Sequence, residues 1–357
     1  MRIRILLLAL LLLAGCGTPG AAPPAVQPSA ELTAATPYGH VFVIVLENEN
    51  AATTWSTTSP ARYLNNLRTH GVFVPNYYGI GHHSLDNYIA MVSGQAPNTK
   101  TQADCPYFTA YTSSAIGAGG QIQGTGCVYP SNVSTVAKQL AATGRTWRAY
   151  LDGMQTPCQH PAIGAKDPNT GETTATAYAT KHNPFVYFRS IIGSTSCASS
   201  DVALSRLPAD LGSTSTTRNL TYIVPDLCHD GHDSAATCAS YHRTGGGLAG
   251  ADAWLRVWVP KILASPAYKQ DGLLVITFDE ADTLDAHACC HEIAGPGAAM
   301  PGIYGPGGGR VGALLMSPRL TPRVNNAGYN HYSLLATIEH IFGLSRLGYA
   351  ATVAPLV

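Results

Sequence analysis

The chain has 357 residues with 21 basic and 21 acidic side chains, and only 12% of its residues are charged. Because lysine and arginine are not in excess, the composition predicts no basic face, and nucleic acid is not expected as a partner. The length and the 36 glycines indicate one large, loop-rich globular domain with a sizeable core.

The first fifteen residues are typical of a secretory signal, with Arg2 and Arg4 before a short apolar run at residues 5–13. The run ends in Leu13-Ala14-Gly15-Cys16, which resembles a bacterial lipobox, and the alternative is ordinary secretion with Cys16 incidental. We therefore expect a lipoprotein signal peptide at 1–15, then a lipidated Cys16 and a flexible Ala-, Pro-, Thr- and Ser-rich tether at 16–37. The expected location is the cell surface or outer face of the membrane, reached through this N-terminal lipid anchor.

The remainder, residues 38–357, alternates strand and helix patterns in one predicted domain. Continuous apolar runs at 41–46, 220–224, 273–278 and 311–316 indicate buried strands, and residues 146–151 add another. Helices are predicted at 59–68, from residue 84, at 135–142, at 251–263 with a kink or early stop at Pro260, and at 333–342. Irregular inserts lie near 98–130 and 152–215. The fold predicted is α/β, a mostly parallel central sheet with helices on both faces.

Cysteine use agrees with export, since eight cysteines remain after Cys16 and would form up to four disulfides. Pairs Cys105–Cys127 and Cys228–Cys238 are favoured because each closes a local loop. The adjacent Cys289 and Cys290 could form a vicinal pair or bridge separately. A metal–thiolate site is the weaker alternative, because no pair has the two-residue spacing of zinc ligands.

Ser84 lies where a glycine-punctuated loop, Gly79-Ile80-Gly81-His82-His83, leads into the predicted helix. Its simplest interpretation is a helix N-cap. A hydroxyl beside the free N–H groups of a first helical turn could also act as a nucleophile toward a phosphate held by those amides.

Polar residues gather immediately after three of the predicted strands. They are Glu47-Asn48 after the first, Asp226, His229, Asp230, His232 and Asp233 after residue 224, and Asp279, Glu280 and Asp282 after residue 278. The ends of parallel strands share one edge of a sheet, where ligands bind. Oxygen and imidazole groups meeting there predict one divalent metal ion of unknown identity. His331, before the last helix, could protonate a leaving oxygen near such a metal.

Six short motifs occur in a specific order between residues 40 and 344. They are Glu47-Asn48, His83-Ser84-Leu85-Asp86-Asn87-Tyr88, Lys181-His182-Asn183-Pro184-Phe185, Cys228-His229-Asp230-Gly231-His232-Asp233, Thr277-Phe278-Asp279-Glu280 and Asn330-His331-Tyr332-Ser333. Together they resemble the bacterial and fungal phosphoesterase family of acid phosphatases and phospholipases C, within the alkaline-phosphatase-like superfamily. At this length the chain is most similar to compact secreted bacterial acid phosphatases.

The resemblance implies a role for each matching residue. It makes Ser84 the phosphoryl-accepting nucleophile and His331 and His229 further catalytic residues. It places a divalent metal among Glu47, Asn48, Ser84, Asp279 and Glu280. It assigns substrate binding to Asn48, Asn87, His182, His232 and Asp230. His83 and Asp86 replace two prolines usual in the family, and Asp86 is expected to favour the helix dipole.

The implied function is a metal-dependent phosphomonoesterase that passes through a phosphoseryl intermediate, acting on a small-molecule or lipid head-group phosphate ester. The alternatives are a phospholipase C-type phosphodiesterase and a non-catalytic phosphate-binding surface lipoprotein.

Overall fold

The central feature of the computed structural model, which describes residues 37–169 and 176–357, is a twisted eight-stranded sheet. The strands of the described residues are β1 (His40–Leu46), β2 (Val72–Val74), β3 (Tyr77–Tyr78), β4 (Trp147–Leu151), β5 (Asp201–Ala203), β6 (Leu220–Val224), β7 (Gly272–Phe278), β8 (Ala313–Met316), β9 (Arg323–Val324) and β10 (Tyr329–Asn330). The signal peptide, Cys16 and residues 16–36 of the predicted tether lie outside the described residues.

The sheet has the order β5-β4-β6-β1-β7-β8-β2-β9, and β3 pairs separately with β10. Its five strands from β5 to β7 are all parallel, as in the register Val43↔Tyr222 and Val43↔Val275. Only β8 is antiparallel to its neighbours, β7 and β2. The mostly parallel sheet is therefore confirmed.

Every residue of β1 and β7 is buried, so both faces of the sheet are covered at its centre. The helices are α1 (Ala51–Thr54), α2 (Arg62–Leu67), α3 (Ser84–Ser93), α4 (Val136–Ala142), α5 (Arg189–Ile192), α6 (Cys197–Ser200), α7 (Leu207–Asp210), α8 (Ala235–Ser240), α9 (Gly247–Ala264), α10 (Pro266–Asp271) and α11 (His331–Ile341). Helices α3, α4 and α11 pack together, and α2 and α10 pack on α9. No helix of the described residues combines the length and the apolarity needed to cross a bilayer.

Several helix boundaries differ from the prediction for local reasons. Pro260 does not stop α9, which runs on to Ala264. Pro260 is exposed, so the carbonyl that loses its helical partner can bind water. Helix α2 begins at Arg62, because the Ser59 hydroxyl accepts a hydrogen bond from the Ala61 amide in a turn before it.

Four disulfides hold the described loops. They are Cys105–Cys127, Cys158–Cys197, Cys228–Cys238 and the vicinal pair Cys289–Cys290. The two pairs expected from local loop closure are present, and the eight cysteines leave no thiolate for a metal. The predicted insert at 152–215 is not wholly irregular, since it contributes β5 to the edge of the sheet.

Candidate active site

Ser84 is the first residue of α3, and the N-cap is His83, with a φ of 70°. The Ser84 hydroxyl makes no capping bond. It donates instead to Glu47 Oε2 at 3.0 Å, and its oxygen lies 3.2 Å from His182 Nε2. The N-cap interpretation of Ser84 is therefore wrong, and its hydroxyl lies between a carboxylate and an imidazole.

Glu47 follows β1 directly and is fully buried. Its Oε1 accepts a hydrogen bond of 2.7 Å from the Tyr88 hydroxyl, one turn along α3 from Ser84. Burial raises the pKa of Glu47 well above the ordinary glutamate value, and nearby Asp279 raises it further. A buried carboxylate beside another carboxylate needs a positive charge to remain ionised.

Asp279 and Glu280 follow β7 in the same way. Asp279 Oδ1 accepts from the amides of Asn48 and Glu280, while Oδ2 is buried without a hydrogen-bond partner. Glu280 Oε2 lies 2.7 Å from His82 Nδ1. Burial raises the pKa of both carboxyls, and each is raised further by a neighbouring acid, Glu280 for Asp279 and Glu47 for Glu280.

The chemistry of these carboxylates fits a divalent cation, because they are buried oxygen donors that raise one another's pKa. Asp279 Oδ2 also has no hydrogen-bond partner of its own. In the described part of the chain, three groups of acidic, histidine or cysteine side chains have ligand atoms within 4.8 Å of one another. None of the three groups contains a predicted metal ligand. Two of those groups contain disulfide-bonded cysteines. In the third, Asp226 already binds His229 and Arg243, and Asp152 binds Trp254.

His182 is buried and stacks on the Tyr88 ring, with centroids 5.3 Å apart. Its Nδ1 lies 3.4 Å from Asp230 Oδ2. Asp230 therefore contacts the imidazole and does not line the cavity. Burial lowers the pKa of His182 well below its usual value, and Lys181 and His232 lower it further. In the ring, Nδ1 faces Asp230 and Nε2 faces Ser84.

A cavity of about 260 Å³ opens above Ser84. Of the predicted site residues, Asn48, Ser84, His232 and Glu280 line it. His232 Nδ1 is held by Asp233 at 2.8 Å, which leaves its Nε2 for a ligand.

Three further predicted site residues, Asn87, His331 and His229, do not line this cavity and are held by contacts of their own. The Asn87 carboxamide accepts from the amides of Ile80 and Gly81 and donates to the Gly81 carbonyl, so it closes the loop before α3. His331 is buried between the Tyr77 hydroxyl and the Asp279 carbonyl, and burial lowers its pKa to about 4. His229 binds Asp226, whose hydrogen bond raises the histidine's pKa.

The two departures from the family pattern have different environments. His83 lines the cavity, with Nδ1 2.6 Å from the Gln102 carbonyl. Asp86 lies in the first turn of α3, as was expected. It is buried with neither oxygen hydrogen-bonded, and burial, Glu280 and Asp104 raise its pKa.

Sequence reasoning missed the cavity's own cation. Lys181 Nζ binds Asp104 Oδ2 at 3.0 Å, and both residues line the cavity. Burial alone would lower the pKa of Lys181, but Asp104 and Glu47 hold it above the usual lysine value. Lys181 could have been identified from the sequence, because it precedes His182 in one of the six motifs. Asp104 could not, because it lies in a segment without periodicity. His82 and Tyr88, which hold Glu280 and Glu47, were also missed.

Comparison with known proteins concerns the family and the fold of the chain. The sequence profile of the Phosphoesterase family matches residues 47–345. Phosphatidylinositol-3-phosphatase of Mycobacterium tuberculosis is 24% identical over 89% of this chain and 82% of its own length. A probable acid phosphatase of Kluyveromyces lactis and an acid phosphatase of Aspergillus fumigatus are each 24% identical, over 86% and 79% of this chain. The chain spans only 59% and 51% of those two fungal proteins.

Solved structures with a similar fold are distant in sequence. Ps i-CgsB is 13% identical with a TM-score of 0.51, covering 89% of this chain and 75% of that one. A protein of the alkaline phosphatase superfamily from Vibrio parahaemolyticus is 13% identical with a TM-score of 0.49, covering 87% and 67%. At this identity the likeness concerns the fold alone.

Proposed function

The chain belongs to the Phosphoesterase family and is a hydrolase of phosphoric esters, and we propose that it is a metal-dependent phosphomonoesterase with Ser84 as its nucleophile. The observation that supports this most strongly is the position of the Ser84 hydroxyl. It lies at the wall of the cavity, between Glu47 Oε2 and His182 Nε2.

In the proposed reaction, Ser84 Oγ forms a bond to phosphorus as the bond from phosphorus to the ester oxygen breaks. The hydroxyl proton passes to an acceptor already in contact, Glu47 Oε2 or His182 Nε2. The departing alcohol takes a proton from a group at the cavity wall, where His232 Nε2 is available. Water then gives a proton to the group that protonated the alcohol, and its oxygen attacks the phosphoserine. The bond from phosphorus to Ser84 Oγ breaks, inorganic phosphate leaves, and Oγ recovers its proton from Glu47 or His182.

The phosphate would be held by groups that line the cavity. The Lys181 ammonium supplies a positive charge, and the Asn48 carboxamide and His232 supply hydrogen bonds. Asp104 fixes Lys181 in place and also accepts from the Leu85 amide at the start of α3, so it ties the cation to the helix bearing the nucleophile.

The proposed metal would be held by Glu47, Asp279, Glu280, Asn48 and the Ser84 oxygen. When bound, it would neutralise phosphate oxygens and favour the ionised serine. The structural support is the mutual burial of the carboxylates and the unpartnered Oδ2 of Asp279.

A lipid head-group monoester is one candidate substrate, and the mycobacterial relative is named for such a lipid. Leu284 is 94% exposed and follows Asp282 and Thr283, which line the cavity. An apolar side chain beside the cavity mouth would contact the acyl region of a membrane-bound ester. An exported, lipid-anchored enzyme would meet such substrates at a membrane surface, so Cys16 lipidation belongs to the same proposal.

A side-by-side assay of a chromogenic phosphate monoester and diester, with a series of divalent metals, tests the proposal. We expect the monoester to be hydrolysed faster. A preference for the diester would favour the phospholipase C-type alternative, and no hydrolysis with any metal at any pH would favour a phosphate-binding lipoprotein.

A further inference from the structure

A second polar cavity lies at the opposite edge of the sheet from Ser84. Strands β4 and β6 pair in parallel, with Trp147 opposite Leu220, so the residues before both strands meet at the amino-terminal edge. Arg145 and Arg218 precede these strands, and Arg148 lies within β4. All three line a cavity of about 220 Å³.

The positive charge of this cavity is only partly balanced. Arg148 is paired with Asp210 and donates from Nε to the Ser199 carbonyl. Arg145 bonds Thr143 and stacks on Phe342, with no carboxylate partner among the described residues. Arg218 has neither a hydrogen bond nor an ion pair with any described residue, and its Nε is buried. No acidic residue lines the cavity.

Arg218 is half-buried, and its unpartnered Nε is the informative feature, because a buried N–H group without an acceptor costs free energy. An adjoining cavity of about 120 Å³ shares Trp147 and Ser196 with the first, and adds Lys138 and the buried, unpartnered Ser190 hydroxyl. Guanidinium and hydroxyl donors around a solvent-open cavity match the oxygens of a phosphate group, which arginine binds in a bidentate manner.

We propose that this cavity, the Arg145–Arg148–Arg218 site, binds a phosphate group separately from the active site. The ligand is either free inorganic phosphate or the terminal phosphate of an organic molecule, since the donors recognise the same oxygens in both. The balanced composition of the whole chain did not predict this local concentration of charge. The site does not rest on the proposed hydrolytic function, because it shares no residue with the Ser84 cavity.

Trp147 lines the Arg145–Arg148–Arg218 site, and no tryptophan lines the Ser84 cavity, so the Trp147 indole resonance reports on this site alone. The protein would be titrated with inorganic phosphate and, separately, with phenylphosphonate, whose carbon–phosphorus bond resists phosphatases. Trp147→Phe assigns the resonance. We expect a saturable shift, and the ligand with the higher affinity identifies the source of the phosphate group.

Arg218→Gln and, independently, Arg145→Gln should each weaken this binding by about tenfold or more, since each removes charge-assisted hydrogen bonds. Arg62→Gln is the control: Arg62 is an exposed arginine at the start of α2 that does not line the site, and affinity should stay within about threefold. Monoester hydrolysis should be unchanged in all three.

Sodium chloride at equal ionic strength controls for screening. The proposal would be overturned if neither ligand shifts Trp147, if chloride reproduces the shift, or if folded Arg218→Gln and Arg145→Gln proteins bind as the wild type does.

Discussion

At the scale of single residues, a shift of one position along the chain separates a helix N-cap from the first helical residue, and this shift decides what the Ser84 hydroxyl contacts. As an N-cap, its oxygen would be occupied by a backbone amide of the same helix. As the first helical residue, it points away from those amides and meets Glu47 and His182. The His83 backbone, at a φ of 70°, makes the turn that allows this.

Asp230 is expected to position His182 and not to bind substrate, since its Oδ2 lies 3.4 Å from Nδ1 of that ring. In Asp230→Asn, an amide that donates to Nδ1 would place the ring proton on Nε2, so that Nε2 could no longer accept the Ser84 proton. We predict a fall in kcat of up to about 100-fold with little change in KM, measured on a soluble monoester. Asp152→Asn, which removes a carboxylate that binds Trp254 away from the cavity, is the control. A raised KM with unchanged kcat would instead assign Asp230 to substrate binding.

Asp201 in β5 makes a prediction about stability and pH. Burial raises its pKa to about 7, although Asn183 donates to it, and Oδ2 has no hydrogen-bond partner. A carboxyl whose pKa is higher in the folded state stabilises fully below its unfolded pKa, and this stability is lost as pH rises through about 7. We predict that Asp201→Asn abolishes that loss, which amounts to about 4 kcal/mol at most between pH 4 and 8.

Urea unfolding of the wild type and Asp201→Asn across this pH range measures the difference. The wild type should lose stability relative to the variant as the pH rises. A constant difference between the two proteins would show that Asp201 titrates normally.

At the scale of elements, the loop before α3 is held by one side chain. Asn87 accepts from two buried amides and donates to the Gly81 carbonyl. We predict that Asn87→Ala lowers the free energy of unfolding by about 1–3 kcal/mol, because it leaves those amides unpaired. Denaturant unfolding checks this. A stable variant with a raised KM would restore the phosphate-binding role that the family resemblance implied.

The long elements could be predicted from the sequence, and their ends could not. The apolar runs of β1, β6 and β7 were recognisable because strands buried on both faces have no polar alternation. Helix α11 begins two residues earlier than predicted because Asn330 and Ser333 form a reciprocal capping box. That shift makes His331 the first residue of the helix and turns it to the Asp279 carbonyl. The two-residue strands β3, β9 and β10 have no pattern of their own and depend on distant partners.

At the scale of the whole molecule, the sheet brings distant residues to one edge. Glu47, Asp230 and Asp279 follow three adjacent parallel strands, so the strand-end argument correctly predicted that these residues gather at one edge of the sheet. The Lys181–Asp104 pair could not be foreseen in this way, because both residues come from loops whose paths depend on packing. Gly231, at a φ of 115°, passes so close to the Glu47 carbonyl that a Cβ would lie 2.6 Å from it.

The proposed metal would also act on the whole molecule, because a ligand bound only by the folded state stabilises that state. We predict that chelation lowers both Tm and monoester hydrolysis, and that one divalent cation restores both. Thermal unfolding with and without the cation measures the first effect. An unchanged Tm and full activity after chelation would exclude the metal from the account.

The most direct test of the central proposal is monoester hydrolysis by Ser84→Ala. Ser93→Ala is the matched control, since Ser93 is a buried serine on the same helix, its hydroxyl donates to the Ile89 carbonyl and accepts from the Gln95 amide, and it does not line the cavity. We predict that Ser84→Ala folds normally and loses about 10³-fold or more in kcat, while Ser93→Ala remains active. A folded Ser84→Ala protein with activity within about tenfold of the wild type would contradict the assignment of Ser84 as the nucleophile.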